Sequence, residues 1–66
     1  MKLPEIRAEL HKAYVALAAA LVKRVIGESV TEFELESLQT RIDRLEAAEH
    51  ALQRVEELSY AATGKN

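Results

Sequence analysis

Cysteine and tryptophan are missing from this chain of 66 residues, proline occurs once, at Pro4, and glycine twice, at Gly27 and Gly64. Without cysteine there is no disulfide and no thiolate metal site. So few helix breakers, beside many Ala, Leu and Glu residues, point to long helices. Aromatic residues are limited to Tyr14, Phe33 and Tyr60. No glycine-rich phosphate loop is present, and no Ser stands with a base and an orienter. A chain this short forms one domain, residues 1–66, and a unit of two helices offers no cavity for a substrate. Neither catalysis nor a cofactor is expected.

Long hydrophobic runs are also lacking. The longest, Ala13–Val22, has ten residues, against the roughly 20 needed to span a bilayer. It makes a poor secretory signal too. A mixed-charge segment with Glu5 and Glu9 precedes it, and Lys23-Arg24 stands where a small-residue cleavage site belongs. A cytosolic chain with no membrane partner is the expectation. Net charge is only −2, but it is unevenly divided. Residues 1–27 carry five basic and two acidic side chains, and residues 28–66 carry four basic and nine acidic ones. Opposite signs favour the two halves lying side by side, although exposed pairs contribute little each.

What is present is helical patterning. The run Ala13–Val22 passes through almost three helical turns with no charge on any side. One partner covers only one stripe of a helix, so such a segment is expected to be buried on several sides. Pro4 suits the first helical position, and Glu5 complements the positive N-terminus. Ile6, Leu10, Tyr14 with Ala13, Leu17, Leu21 and Val25 then step by three or four, forming a main stripe. Val15, Ala18, Val22 and Ile26 form a second stripe about 100° round. Lys23 and Arg24 sit in the last turn, and Gly27 is placed to end the helix in a left-handed conformation. The first helix is predicted over about residues 4–26.

The second helix, predicted over about residues 32–60, opens on a capping box. The Thr31 hydroxyl takes a free N–H and the Glu34 carboxylate reaches back to the cap. Val30 and Leu35 fit the hydrophobic staple around it. Its stripe reads Leu35, Leu38, Ile42, Leu45, Ala48, Leu52, Val55 and Leu58 or Ser59, and the tail from about residue 61 is expected to fray. The fold class is therefore all-α, a two-helix antiparallel hairpin. So small a core needs support from a multimer or a larger partner. The main stripe, through Leu10, Leu17 and Leu21, is expected to pack on Leu38, Ile42, Leu45 and Leu52. The second stripe is left for another chain. The interface expected from this pattern is Tyr14, Val15, Ala18, Ala19, Val22 and Ile26, where the small side chains let a helix approach closely.

Other clusters read as solvated surface. His11, Glu46 and His50 lie at similar heights in a hairpin. They lack the Glu-x-x-His spacing of bundle metal sites and sit beside their apolar stripes, so no metal site is assigned. Lys23-Arg24 answers the helix dipole, and the acidic balance around it argues against nucleic acid. Glu28, Glu32, Glu34 and Glu36 supply negative charge at the second helix's start, with a basic partner as the alternative reading.

Two segments, EIRAELHKAYVALAAALVKRV and TEFELESLQTRIDRLE, joined by the polar link IGESV, resemble the small phage head–tail joining proteins of the lambda W type. The matching positions are Thr31, Leu35, Leu38, Ile42, Leu45 and Glu46, within about residues 5–50. The resemblance implies a structural protein of the virion, or of the bacterial cytoplasm before assembly, that bridges portal and tail proteins or copies of itself. It carries no catalytic residues. The lambda type has a small β-hairpin between its helices. Ile26–Val30 is too short for one, so a strandless variant is implied. Two further readings fit the hairpin alone: a Rop-like homodimeric four-helix bundle, and a small inhibitor or adaptor that docks on another protein.

Overall fold

A computed structural model describes residues 2–63, with the side chain of Thr63 left aside. It contains two helices, α1 over Leu3–Val25 and α2 over Glu32–Thr63, packed as an antiparallel hairpin in a rod of 60 × 16 × 16 Å. No strand separates them among the described residues. Residues 61–63, where fraying was expected to begin, are helical, and residues 64–66 lie outside the described part.

Local chemistry sets the helix ends. Pro4 lies in the first turn of α1, where Lys2 is the cap and the Glu5 carboxylate accepts from the Lys2 N–H at 3.4 Å. At the other end Gly27 has φ +91°, the Gly27 N–H donates to Arg24 C=O at 3.2 Å, and the Glu28 N–H donates to Lys23 C=O at 2.8 Å. This pair of bonds is a Schellman termination, and the positive φ is why a glycine stands there. At the start of α2, the Thr31 hydroxyl accepts from the Glu34 N–H at 3.1 Å. The Glu34 side chain makes no return bond to the Thr31 N–H among the described residues. Val30 and Leu35 are half-buried, as staple positions require.

Among the described residues five side chains are buried: Leu3, Ile6, Leu10 and Ala13 of α1 and Ile42 of α2. Leu17, Leu45, Ala48 and Leu52 pack against the cluster, each half-buried. The buried and half-buried apolar positions of α1 are Leu3, Ile6, Leu10, Ala13, Leu17 and Ala20, alternating steps of three and four without a break. On α2 the facing run is Leu35, Leu38, Ile42, Leu45, Glu49 and Leu52, with half-buried Ala48 packing beside Glu49. These are heptad seams, the geometry of a left-handed two-helix coil.

The seam differs from the expected stripe in several places. Leu21, assigned to the inner stripe, is 46% exposed. Leu38 is half-buried but lies outside the main cluster. Of the expected pair Tyr14 and Ala13, the alanine is the buried member, and Ala20 occupies the place expected for the larger Leu21. A 3.5-residue repeat drifts slowly around a 3.6-residue helix, so steps of four taken in succession leave the contact line. Val55 and Leu58 of α2, 56% and 54% exposed, lie past the level of Leu3, where α1 begins and no helix faces them. Nor is Ala13–Val22 buried on several sides. Only Ala13 is buried and only Leu17 and Ala20 are half-buried, because α2 covers one stripe of α1 and nothing in the chain covers another.

Edge pairs hold the register. Arg7 reaches Glu49 at 3.1 Å and Arg24 reaches Glu32 at 3.0 Å, near opposite ends of α1. Arg41 reaches Glu9 at 2.9 Å, and Lys12 sits 3.4 Å from the same Glu9 carboxylate. With this register Leu3 lies across from about residue 53, so α2 continues past it for about ten residues, roughly 15 Å at ~1.5 Å each.

Ile42→Ala should therefore be the most damaging large-to-small change. It should cost about 2–4 kcal/mol, against less than about 1 for Leu21→Ala, in denaturant titrations at one fixed protein concentration. At the cap, Thr31→Ala should cost about 1 kcal/mol. Glu34→Ala should cost only the smaller dipole contribution, and the double variant should be additive, because no second bond links the two side chains.

Candidate interface on the outer face of α1

The six interface positions expected from the sequence are all exposed. Val15 is 55% exposed, Val22 59% and Ile26 67%, and Ala18 and Ala19 are exposed with them. Val25, which the sequence had placed on the inner stripe, joins this face at 86%. Tyr14, at 45%, differs from the others. Its hydroxyl donates to the Glu46 carboxylate, so it closes one edge of the hairpin and only borders the outer face.

The outer face has an order of its own. Adding five to each inner-seam position of α1 gives Ala8, His11, Val15, Ala18, Val22 and Val25. Five residues at about 100° each put this second seam roughly 140° from the first. It again alternates steps of three and four, and only His11 in it is polar. The side chains bordering its second half are Ala19 and Ile26 on one edge and Tyr14 and Leu21 on the other. Thus α1 has two heptad seams, one against α2 and one facing away from it.

Around Tyr14 the electrostatics are specific. The hydrogen bond to Glu46 raises the tyrosine pKa above its ordinary 10.0, and desolvation and the negative charges of Glu46 and Glu49 add to the rise. The neutral hydroxyl is the form that donates to the carboxylate, and an ionised one would meet two like charges.

The remaining candidates stay apart. His11 borders a shallow depression with Arg7, Leu10, Tyr14 and Glu49, whereas His50 borders another with Gln53, Arg54 and Glu57. Among the described residues no three His, Asp or Glu side chains are grouped to hold a metal ion. In the Lys23-Arg24 pair, Arg24 is held by Glu32, which takes one member of the acidic cluster as well. An open depression of about 620 Å³ lies on α2 between Phe33, Thr40, Arg44 and Leu45. Sequence reasoning missed it because Phe33 falls outside every apolar stripe, and it is 78% exposed. No helix among the described residues is long and apolar enough to cross a membrane.

Tyr14→Phe tests the edge contact. A raised tyrosine pKa means that the folded state holds the proton more tightly. Its stabilising effect is complete below the ordinary pKa of 10.0 and fades as pH rises through the raised value. Ultraviolet difference titration of wild type against Tyr14→Phe should show one tyrosine ionising above 10.0. The alkaline loss of stability should be shallower in the variant.

No protein-family model matches the chain, and no curated protein or solved structure matches it either.

Proposed function

We propose that this chain is a non-enzymatic assembly subunit that works by docking the outer face of α1 onto another protein surface. The observation that carries this reading is the exposure of Val15, Val22 and Val25 along one seam, with Ile26 at its border, in a hairpin that buries only five side chains among the described residues. Monomeric proteins rarely leave a large contiguous apolar patch in water, and chains of this size usually borrow stability from association. The resemblance over residues 5–50 supplies the setting: a phage virion, with portal and tail proteins as neighbours, and a connecting role that needs rigid helices and no chemistry.

A closed Rop-like bundle fits less well. Four helices at the corners of a square present their two contact seams near a right angle. The seams of α1 are roughly 140° apart, by about 100° per residue, which suits a helix lying between two partners.

The two seams separate in a mutational test. Leu17→Glu puts a carboxylate among Ile42, Leu45 and the neighbouring core residues and should unfold the protein, read by circular dichroism. Val22→Glu and Ala18→Glu should lower the sedimenting mass or abolish partner binding, and should lower stability only through the association they remove. Unchanged mass and unchanged partner binding in both variants would overturn the docking reading. For the virion setting, a phage lacking the chain should yield filled heads and separate tails in electron micrographs. Joined particles would rule that setting out.

A further inference from the structure

We infer that the partner on the outer face of α1 is a second copy of this chain, paired antiparallel through the seam Ala8, His11, Val15, Ala18, Val22 and Val25. The inference rests on the docking reading above and adds the occupant, its direction and its register.

A contact between two copies related by a twofold axis must be self-complementary, with each position facing a fitting one on the other copy. In an antiparallel coil the two kinds of seam position face each other. With Val15 opposite the second copy's Ala18, the same register sets Ala8 opposite Val25 and His11 opposite Val22. Every layer then pairs a valine with a different residue: alanine in the Ala8 and Ala18 layers, histidine in the His11 layer. Valine never meets valine, and alanine never meets alanine. Alternation of large and small across facing positions is what lets layers interdigitate at native density. On one border Tyr14 comes beside the second copy's Leu21, both about half exposed in the single hairpin. At each end of the seam, Arg7, which also pairs with Glu49 of its own hairpin, comes level with the second copy's loop after α1, which carries Glu28.

The parallel alternative loses each of these matches. Every seam residue would face its own copy, stacking valine on valine, alanine on alanine and His11 on His11. The bordering positions would set Arg7 beside the second copy's Lys12, like charges on both sides of the coil. Charge complementarity and the size alternation therefore select the same direction.

The hairpin's own weakness points to a copy of itself in place of a foreign protein. Five buried side chains leave the fold dependent on an associate. A second copy is present wherever the chain is made. Because the two seams of α1 lie on nearly opposite sides, the pair places the two α1 helices in the middle and the two α2 helices outside, without a clash between hairpins.

The absence of cysteine makes a direct test available. Two variants are used, Ala8→Cys and Val25→Cys, each an exposed position on the seam. In the antiparallel register, like positions lie about 17 residues apart along the axis, roughly 25 Å at ~1.5 Å per residue, while Ala8 and Val25 face each other. Mixed, allowed to exchange and then oxidised, the two variants should form a disulfide heterodimer, and neither should cross-link alone. The unmodified protein should sediment at twice its 7.4 kDa chain mass or an even multiple. Ready cross-linking of each variant alone would overturn the antiparallel direction. A folded wild type at single-chain mass, or no heterodimer in the mixture, would overturn the self-pairing. If in those cases Val22→Glu still abolishes binding to another protein, the docking reading survives without this inference. If Val22→Glu changes nothing at all, both fall.

Discussion

Everything in this hairpin depends on how closely α2 can approach α1. The inner seam of α1 ends each heptad on a small or medium residue, with Ala13 at its centre, 3% exposed, across from Ile42 at 2%. An alanine in a coil seam allows the backbones to come together and gives the facing isoleucine somewhere to sit. Direction and register then follow from the edges. On one side Arg7 and Tyr14 of α1 meet Glu49 and Glu46 of α2, and on the other Glu9 meets Arg41. These contacts are exposed and individually weak. Their combined effect is to penalise a slip of one helix turn, which would pull these partners apart together. The uneven charge of the two halves of the chain is expressed through these pairs.

The second constraint is one of count. A helix with two apolar seams needs two neighbours, and this chain supplies one. The seam toward α2 and the seam away from it are copies of one pattern shifted by five residues, so α1 is built as a middle helix. α2 is not built in this way over its first half, where Thr40 and Arg44 occupy the outer surface around Phe33. The asymmetry explains why the apolar run belongs to α1 alone, and why α2 carries most of the charged residues.

Much of the fold was legible in the sequence because the helix ends are local. Gly27 predicts a left-handed termination from its identity and its position after Lys23-Arg24, and Thr31 predicts a cap from the three residues that follow it. Neither needs knowledge of a distant partner. The choice of stripe did need it. Tyr14, Leu21 and Val25 are larger than Ala13 and Ala20 and outweigh them on any hydrophobic tally, yet the close approach of α2 selects the alanines. Glu49 shows the same limit from the polar side. Read as solvated, it occupies a seam position with a 30% exposed side chain and is tolerated there because Arg7 covers it. Half of the half-formed box at Thr31 was also out of reach, since whether the Glu34 carboxylate turns back depends on its rotamer. The tie of Tyr14 to the hairpin edge was not legible, whereas the exposed outer stripe was, as a set of residues. Its spacing as a second heptad became visible only once the first had been located.

Folding and association are linked in such a molecule. The inner seam contributes few fully excluded side chains, and the ~1.5–3 kcal/mol available per buried aliphatic residue must offset the entropy of ordering more than fifty residues. Covering the outer seam adds several more aliphatic side chains at no further cost in ordering α1, which is already helical. On the proposed self-pairing, association is then a large part of the folding free energy, and the apparent stability rises with protein concentration. The apolar run at Ala13–Val22 is the physical expression of that linkage. One of its stripes makes the hairpin, and the other is left exposed on the same helix, open to a protein partner.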